Sequence, residues 1–433
     1  MSPLAILLQK DAMETPLAPL KAAAMNSEPT AAAPLVGLKV LDLSKVLAGP
    51  LCAQYLGDMG ADVIKVESTG DGDETRHWPP FRSAENVAPT GSIFLSANRN
   101  KRSIAVDLRS EAGKAVVFEM ARQSDIVIES FGPGASTRLG IDAATLCALN
   151  PRLIYCNISG FGNVGPMRNG KGYDVILQAF TGMLSITGER NGPPVRSPFS
   201  PVDQATGLHA LIGILAAVIA RARTGKGTVV EASLFDTATA FLGYFLQSFW
   251  ERGTEPEKPG SGHESLCPYE AFDTLDKPLI LGVANDTLWQ KFCGVTGLQD
   301  LAHDPRYASN AARVERREET VAIVRQVLAK RCRDDWIVEL SRVGIPCSPL
   351  HTLGELSVHP HTHESGMILE YQHPQYGAMR AVAQPLRFDG QRAALYRAPP
   401  AHGAHGRDIL LEAGFDQAQI DEMARSGAVK LDG

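Results

Sequence analysis

Several signatures that would place a chain of this size are missing from it. The turn after the first strand lacks G-x-G-x-x-G, and neither a P-loop nor a G-x-S-x-G elbow occurs anywhere. Nicotinamide or flavin enzymes, P-loop ATPases and serine hydrolases thus lose the motifs on which their chemistry rests. The seven cysteines (52, 147, 156, 267, 293, 332, 347) form no C-x-x-C pair and are odd in number, which fits reduced thiols in the cytoplasm. The longest apolar run, Ala210–Ala220, is about half of the roughly 20 residues a membrane span needs. A net charge of -6 gives no broad basic face, so nucleic acid is not an expected partner.

The N-terminal stretch is defined by absence as well. No arginine precedes Arg76, and the only sustained apolar run, Leu4–Leu8, is too short for a signal-peptide core. Residues 1–35 read as a disordered leader or an overlong start, neither secretory nor mitochondrial.

What is present is an α/β pattern. Leu38–Leu43 reads as a strand, Gly49-Pro50 opens a helix, and Ala61–Glu67 reads as the next strand, a crossover unit that implies parallel pairing. Ser103–Leu108, Asp125–Glu129 and Leu153–Ile158 continue the strands, with a helix at Glu111–Arg122. Asp203–Arg223 is apolar on all sides, as befits a helix buried in a core or interface. The domain plan is a large Rossmann-like α/β unit over 36–225, a linker over 226–253, a small α+β domain over 254–344 and a return of the chain over 345–433. The stretch from Pro346 to Pro374 is read as connecting chain.

Four features could carry chemistry. The run Arg99-Asn100-Lys101-Arg102 is either a solvated charge cluster or an anion grip. Ser130–Gly134 follows a strand of a parallel sheet, where open α/β folds bind ligands, and is otherwise an ordinary turn. Tyr173-Asp174 is either a turn pair or a group that orients an acyl ligand. Asp203, ahead of an apolar helix, is either its N-cap or a nucleophilic carboxylate held ionised at a helix start. The His359-Pro360-His361-Thr362-His363 cluster lacks a recognised ligand spacing, so no metal is expected.

The blocks DLSKVLAGP, GADVIKVE, NRNKRSIAVDL, ESFGPGASTRLG, GYDVILQAFTGMLSITG, DQATGLHALIGILAAVIARARTGKG and PYEAFDT together resemble the family III CoA-transferases (CaiB/BaiF family), from about Leu35 to the C-terminus. The resemblance implies an interlocked homodimer of two-domain subunits, an acyl-CoA and a carboxylic acid as substrates, and no tightly bound cofactor. It makes Asp203 the nucleophile, forming a mixed anhydride and then an aspartyl-CoA thioester. It also assigns CoA contacts to Val46, Ala48, Arg102, Val106, Arg109, Ser130, Phe131, Arg138 and Lys171. Tyr173 and Asp174 would contact the acyl group, and Gly260, Gly262 and His263 would form a mobile glycine loop that excludes water. Arg196 resembles the pattern of branches acting on dicarboxylates, which points to a succinyl-CoA-type donor and a C4 to C6 diacid such as itaconate, mesaconate or a hydroxymethylglutarate-like acid. Transfer within one dicarboxylyl-CoA would be a variant of the same chemistry. Ser68 replaces an arginine of some relatives, and His402-Gly403-Ala404-His405 lacks the glutamate of the family's L-G-E-H. A 2-methylacyl-CoA racemase is the nearest rival, but its histidine is replaced by Tyr173, whose phenol is a poor base for α-proton transfer. A silent CoA-binding paralogue would have no need of Asp203.

Overall fold

The computed structural model describes residues 33–431, so the leader expected over 1–35 lies almost wholly outside the described residues. The chain forms two units, and each is built around its own core. The larger holds 33–183, Arg196–Glu251 and 367–431; the smaller holds Leu184–Val195 and Arg252–Gly366.

In the larger unit the elements that build the central sheet and the site include β1 (Lys39–Leu43), α1 (Ala48–Asp58), β2 (Asp62–Glu67), β3 (Lys101–Val106), α2 (Glu111–Gln123), β4 (Ile126–Glu129), β5 (Ile154–Ser159), α3 (Asp174–Phe180), α4 (Pro201–Thr224), β6 (Val229–Ser233) and β7 (Val429–Lys430). The strands lie in the order β7-β3-β2-β1-β4-β5-β6, parallel throughout except where β7 runs antiparallel to β3. Apart from that edge, this is the doubly wound arrangement, in which strand order reverses between β1 and β4 and opens a crevice at the carboxyl ends. Successive strand residues serve opposite faces. Val40, Ile126 and Ile154 join one core with α1 and α4, while Leu41, Val127 and Tyr155 join another with α2. Burial on both faces explains why these strands read as near-continuous apolar runs.

The interval 226–253, expected to be a linker, instead holds edge strand β6 and helices Leu234–Phe241 and Gly243–Arg252 in the larger unit. A strand and helices this short carry too weak a period to stand out in the sequence. The chain from 345 to 366 belongs to the smaller unit, where Cys347–Pro349 pairs antiparallel with Leu279–Gly282, which in turn pairs with Tyr269–Phe272. The Pro/His-rich stretch read as connecting chain therefore contains that strand, helices Leu353–Val358 and Pro360–Glu364, and the strand Ile368–His373.

By length and composition, α4 is the one helix among the described residues that could cross a membrane. One stripe of it (Val202, Thr206, Ala210, Ile214, Ala217) is nevertheless buried within the larger unit. That is the pattern of a core helix.

The basic run is neither a solvated cluster nor an open anion grip. Arg99 forms a two-pronged pair with Asp58 (2.9 and 2.6 Å), and Lys101 reaches Asp42 at 2.9 Å. Arg102 bridges Asp62 (2.6 Å) and Glu412 (2.8 Å). All three cations are already spent on internal carboxylates, because a charge taken out of water must be paired.

Candidate functional site

A cavity of about 490 Å³ opens at the carboxyl ends of β1, β4, β5 and β6, entirely within the larger unit. Its walls come from the turn Lys45–Ala48, the turn after β4 (Ser130–Gly134), the glycine-rich loop carrying Arg168, Lys171 and Tyr173, and the first turn of α4 with Asp203. This is the crevice that the strand order creates.

The first turn is held with unusual care. Val46 has φ 70°, a costly left-handed conformation for a β-branched residue. Three neighbours fix it: the Val46 N–H donates to the Asp73 carboxylate (3.3 Å), Lys45 N–H donates to Ser130 Oγ (3.0 Å), and Lys65 Nζ donates to the Ser44 carbonyl (2.9 Å). Lys65 and Asp73 are themselves a buried ion pair at 3.0 Å. Gly49 follows because a Cβ there would fall on the Ser44 side chain. No side chain caps α1, so its first N–H groups remain available as donors at a cavity wall.

Asp203 is not the N-cap of α4. Pro201 takes the first helical position, Ser200 precedes it with φ 50° and offers no side-chain bond, and Asp203 stands third. The cap comes from elsewhere in the chain: the Asp174 carboxylate accepts the N–H groups of Val202 (2.9 Å) and Asp203 (3.1 Å). Gln178 holds Asp174 in turn, donating to its other oxygen and to the Ser197 carbonyl (3.2 Å), while accepting from Ser197 N–H (2.9 Å). The Asp203 carboxylate is thus left without a hydrogen bond or ion pair among the described residues. Burial, and then the Asp174 charge, push its carboxyl up from 3.8 to about 7. The expectation that a helix start would hold it ionised is therefore reversed, because desolvation and a like charge outweigh the helix dipole.

Of the other sequence-derived residues, Val46, Ala48, Ser130, Phe131, Lys171 and Tyr173 line the cavity with Asp203. Arg102 does not, being paired with Asp62 and Glu412. Val106 does not either, since it is fully buried in the core on the α2 face. Arg109 pairs with Asp107 on exposed chain, and Arg138 turns to the Pro133 carbonyl; neither is in the lining. Asp174 lies behind the wall rather than in it, and Arg196 is exposed and outside the lining. Gly260, Gly262 and His263 belong to the smaller unit, where Gly260 N–H donates to the Gly188 carbonyl at 3.0 Å.

The sequence reading passed over Lys45, Glu129, Asn157 and Arg168, all of which line the cavity. Glu129 is buried, accepts the Phe131 N–H (2.7 Å) and the Asn157 amide, and is raised above its ordinary value chiefly by burial. Its position at the end of β4, directly before Ser130, was the available signal. Arg168 and Lys171 have no ion-pair partner among the described residues, whereas Lys45 is paired with Glu74 at 2.9 Å.

The His359–His363 segment turns its rings to backbone: His359 Nδ1 accepts from His361 N–H (3.2 Å), and His363 Nε2 meets the Ser357 carbonyl (2.8 Å). The site therefore offers an unpartnered carboxylate, backbone donors, two free cations and a tyrosine around one crevice. That set suits acyl transfer through a carboxylate to and from a large anionic ligand.

Comparison with known proteins gives the same direction. The profile of CoA-transferase family III matches residues 35–406. An acyl-CoA transferase of Fusarium pseudograminearum is 38% identical over 413 residues, covering 94% of this chain and 91% of that one. The succinyl-CoA:glutarate CoA-transferase of Mus musculus is 35% identical, covering 92% and 90% respectively. The crystal structure of a CaiB/BaiF family protein from Brucella suis superposes with a TM-score of 0.79 at 36% identity, over 88% of this chain and 99% of that one.

Proposed function

Because this chain belongs to CoA-transferase family III, we propose that it moves CoA from a succinyl-CoA-type donor to a short dicarboxylic acid, with Asp203 as the nucleophile. The observation that carries the reading is the Asp203 carboxylate: it faces the cavity, has no partner among the described residues, and its carboxyl is raised to about 7. A desolvated carboxylate is a stronger nucleophile than a solvated one, and a site that withholds water preserves energy-rich acyl intermediates.

The Asp203 oxygen attacks the thioester carbonyl, the C–S bond breaks, and a mixed anhydride and CoA thiolate result. The thiolate then attacks the Asp203 carbonyl of the anhydride, releasing the donor acid as its carboxylate and leaving an aspartyl-CoA thioester. The acceptor carboxylate attacks that thioester, expelling the thiolate and forming a second anhydride. Thiolate attack on the acceptor carbonyl completes acceptor-CoA and returns the Asp203 carboxylate. Every step conserves one acyl bond, and no oxidant or metal enters the balance. Tyr173 and Lys171 flank the reacting end in this reading.

The dicarboxylate preference is supported by the succinyl-CoA:glutarate relative rather than by Arg196, which lies outside the cavity lining. Homodimer formation is part of the proposal. Ile212 and Ile219 on α4 are 63% and 67% exposed in the single chain, and Tyr244 and Trp250 on the helix Gly243–Arg252 68% and 67%, more apolar surface than an isolated subunit gains by showing.

The test is to incubate the protein with succinyl-CoA and a panel of acids, and to read new CoA thioesters by mass spectrometry. Glutarate-sized diacids are expected to be converted best, with no exchange by Asp203→Ala. Exchange that survives this replacement, or α-carbon deuterium wash-in without exchange, refutes the reading.

A further inference from the structure

We propose that Gly207 is a positioning residue for Asp203, since its missing side chain lets α4 lie directly against the backbone of Ala48 at the cavity wall. The inference rests on the reading of Asp203 as nucleophile.

A Cβ placed at 207 would stand 2.5 Å from the Ala48 carbonyl oxygen, 3.4 Å from its carbonyl carbon and 3.6 Å from its Cα. The obstacle is backbone at the start of α1, not the tip of a flexible side chain. An added methyl group is therefore accommodated only by moving α4 away from α1 or by tilting it. Gly207 lies four residues after Asp203, one turn and about 6 Å along the axis, so the two share a face. Val202 and Ala210, to either side, are buried in the same core as Ala48 and Cys52 of α1. A shift at 207 is passed to Asp203 by a stiff helical turn.

Glycine inside a helix is destabilising relative to alanine, so residue 207 is a poor choice for helix stability. The close approach accounts for it. Ala48 and Asp203 both line the cavity, and Gly207 sets how far the carboxylate stands from the opposite wall.

Gly213 provides the control on the same helix. A Cβ there would meet the Val230 side chain, at 2.6 Å to Cγ1, rather than backbone. Succinyl-CoA to glutarate exchange and CoA binding by calorimetry are compared for wild type, Gly207→Ala, Gly213→Ala and Val202→Ala. In Gly207→Ala, kcat is expected to fall about a hundredfold while the Kd for CoA stays within about threefold. A kcat loss no greater than that of Gly213→Ala, or a parallel loss of CoA affinity, overturns the assignment. Should Gly207→Ala not fold, Val202→Ala decides: it frees space beneath the same turn without a clash, and kcat is expected to fall about tenfold with CoA affinity held. Full activity there overturns the role. The two failures are separable. Exchange that persists in Asp203→Ala refutes the nucleophile, whereas Asp203-dependent exchange that Gly207→Ala leaves intact refutes only the positioning.

Discussion

Asp174 and Asp203 act on one another in opposite senses. The Asp203 N–H donates to the Asp174 carboxylate at 3.1 Å and so ties the start of α4 in place, while the Asp174 charge, second only to burial, drives the Asp203 carboxyl up to about 7. One side chain thus fixes the position of the Asp203 carboxylate and tunes its basicity.

Replacing Asp174 separates those two effects. Asp174→Asn keeps an acceptor for the helix N–H groups but removes the charge, so the Asp203 carboxyl should titrate lower and the acidic limb of kcat against pH should move to lower pH. Asp174→Ala leaves two buried donors unpaired and is expected to cost about 1–3 kcal/mol per group, seen as a lower Tm. A pH profile that does not move in Asp174→Asn would argue against the electrostatic coupling.

In the proposed mechanism, Asp203 must be ionised to attack. With its carboxyl near 7, kcat/KM should rise about tenfold per pH unit below that value and level off above it. The measurement is initial exchange rate from pH 5 to 9 with a stable thioester donor. A flat profile through neutrality would be inconsistent with a raised Asp203.

Stability should carry the same signature. A group raised from 3.8 to about 7 on folding contributes stability fully below the lower value, and that contribution is lost as pH climbs to the upper one. Asparagine at 203 is neutral at every pH, so its advantage over aspartate should grow by about 2 kcal/mol between pH 5.5 and 8 and then stay level. Paired denaturation curves at pH 5.5 and 8 read this directly; a constant offset would contradict it.

The basic run predicts a stability effect rather than a binding effect. Arg99→Ala leaves the buried Asp58 carboxylate unpaired and should cost about 3–5 kcal/mol. Arg102→Ala, whose partners Asp62 and Glu412 have side chains 40% and 57% exposed, should cost about 1 kcal/mol or less. Neither should raise KM for the acyl-CoA in whatever protein is folded. A large KM increase in Arg102→Ala would restore that residue to the ligand site.

Most of the scaffold was legible in the sequence, because strands buried on both faces are rich in apolar residues and the helices α1 and α4 have Pro in the first turn and Gly just past the end. Reading Ser130–Gly134 as a ligand turn needed only the rule that parallel sheets bind at their carboxyl ends. Asp203 was legible through its resemblance to a family motif, but its setting was not. Its helix is capped by a residue 29 positions upstream, and no local pattern announces a cap that arrives from another element. Arg99, Lys101 and Arg102 misled for a related reason: four adjacent letters look like one basic patch, yet alternate strand residues point to different faces and meet different carboxylates.

What the chain determined through its own local chemistry was the order of strands and helices along the sequence, the turns at the ends of β1 and β4, and the presence of one carboxylate in the first turn of a long apolar helix. Periodicity and turn preferences act over a few residues and can be read from a few residues. Only the tertiary structure decided which charges are spent inside, which line the crevice, and that Asp203 is desolvated beside Asp174 instead of capping its own helix. Those outcomes depend on burial and on distances between segments far apart in sequence, and electrostatic energies are set by those distances and by exclusion of water.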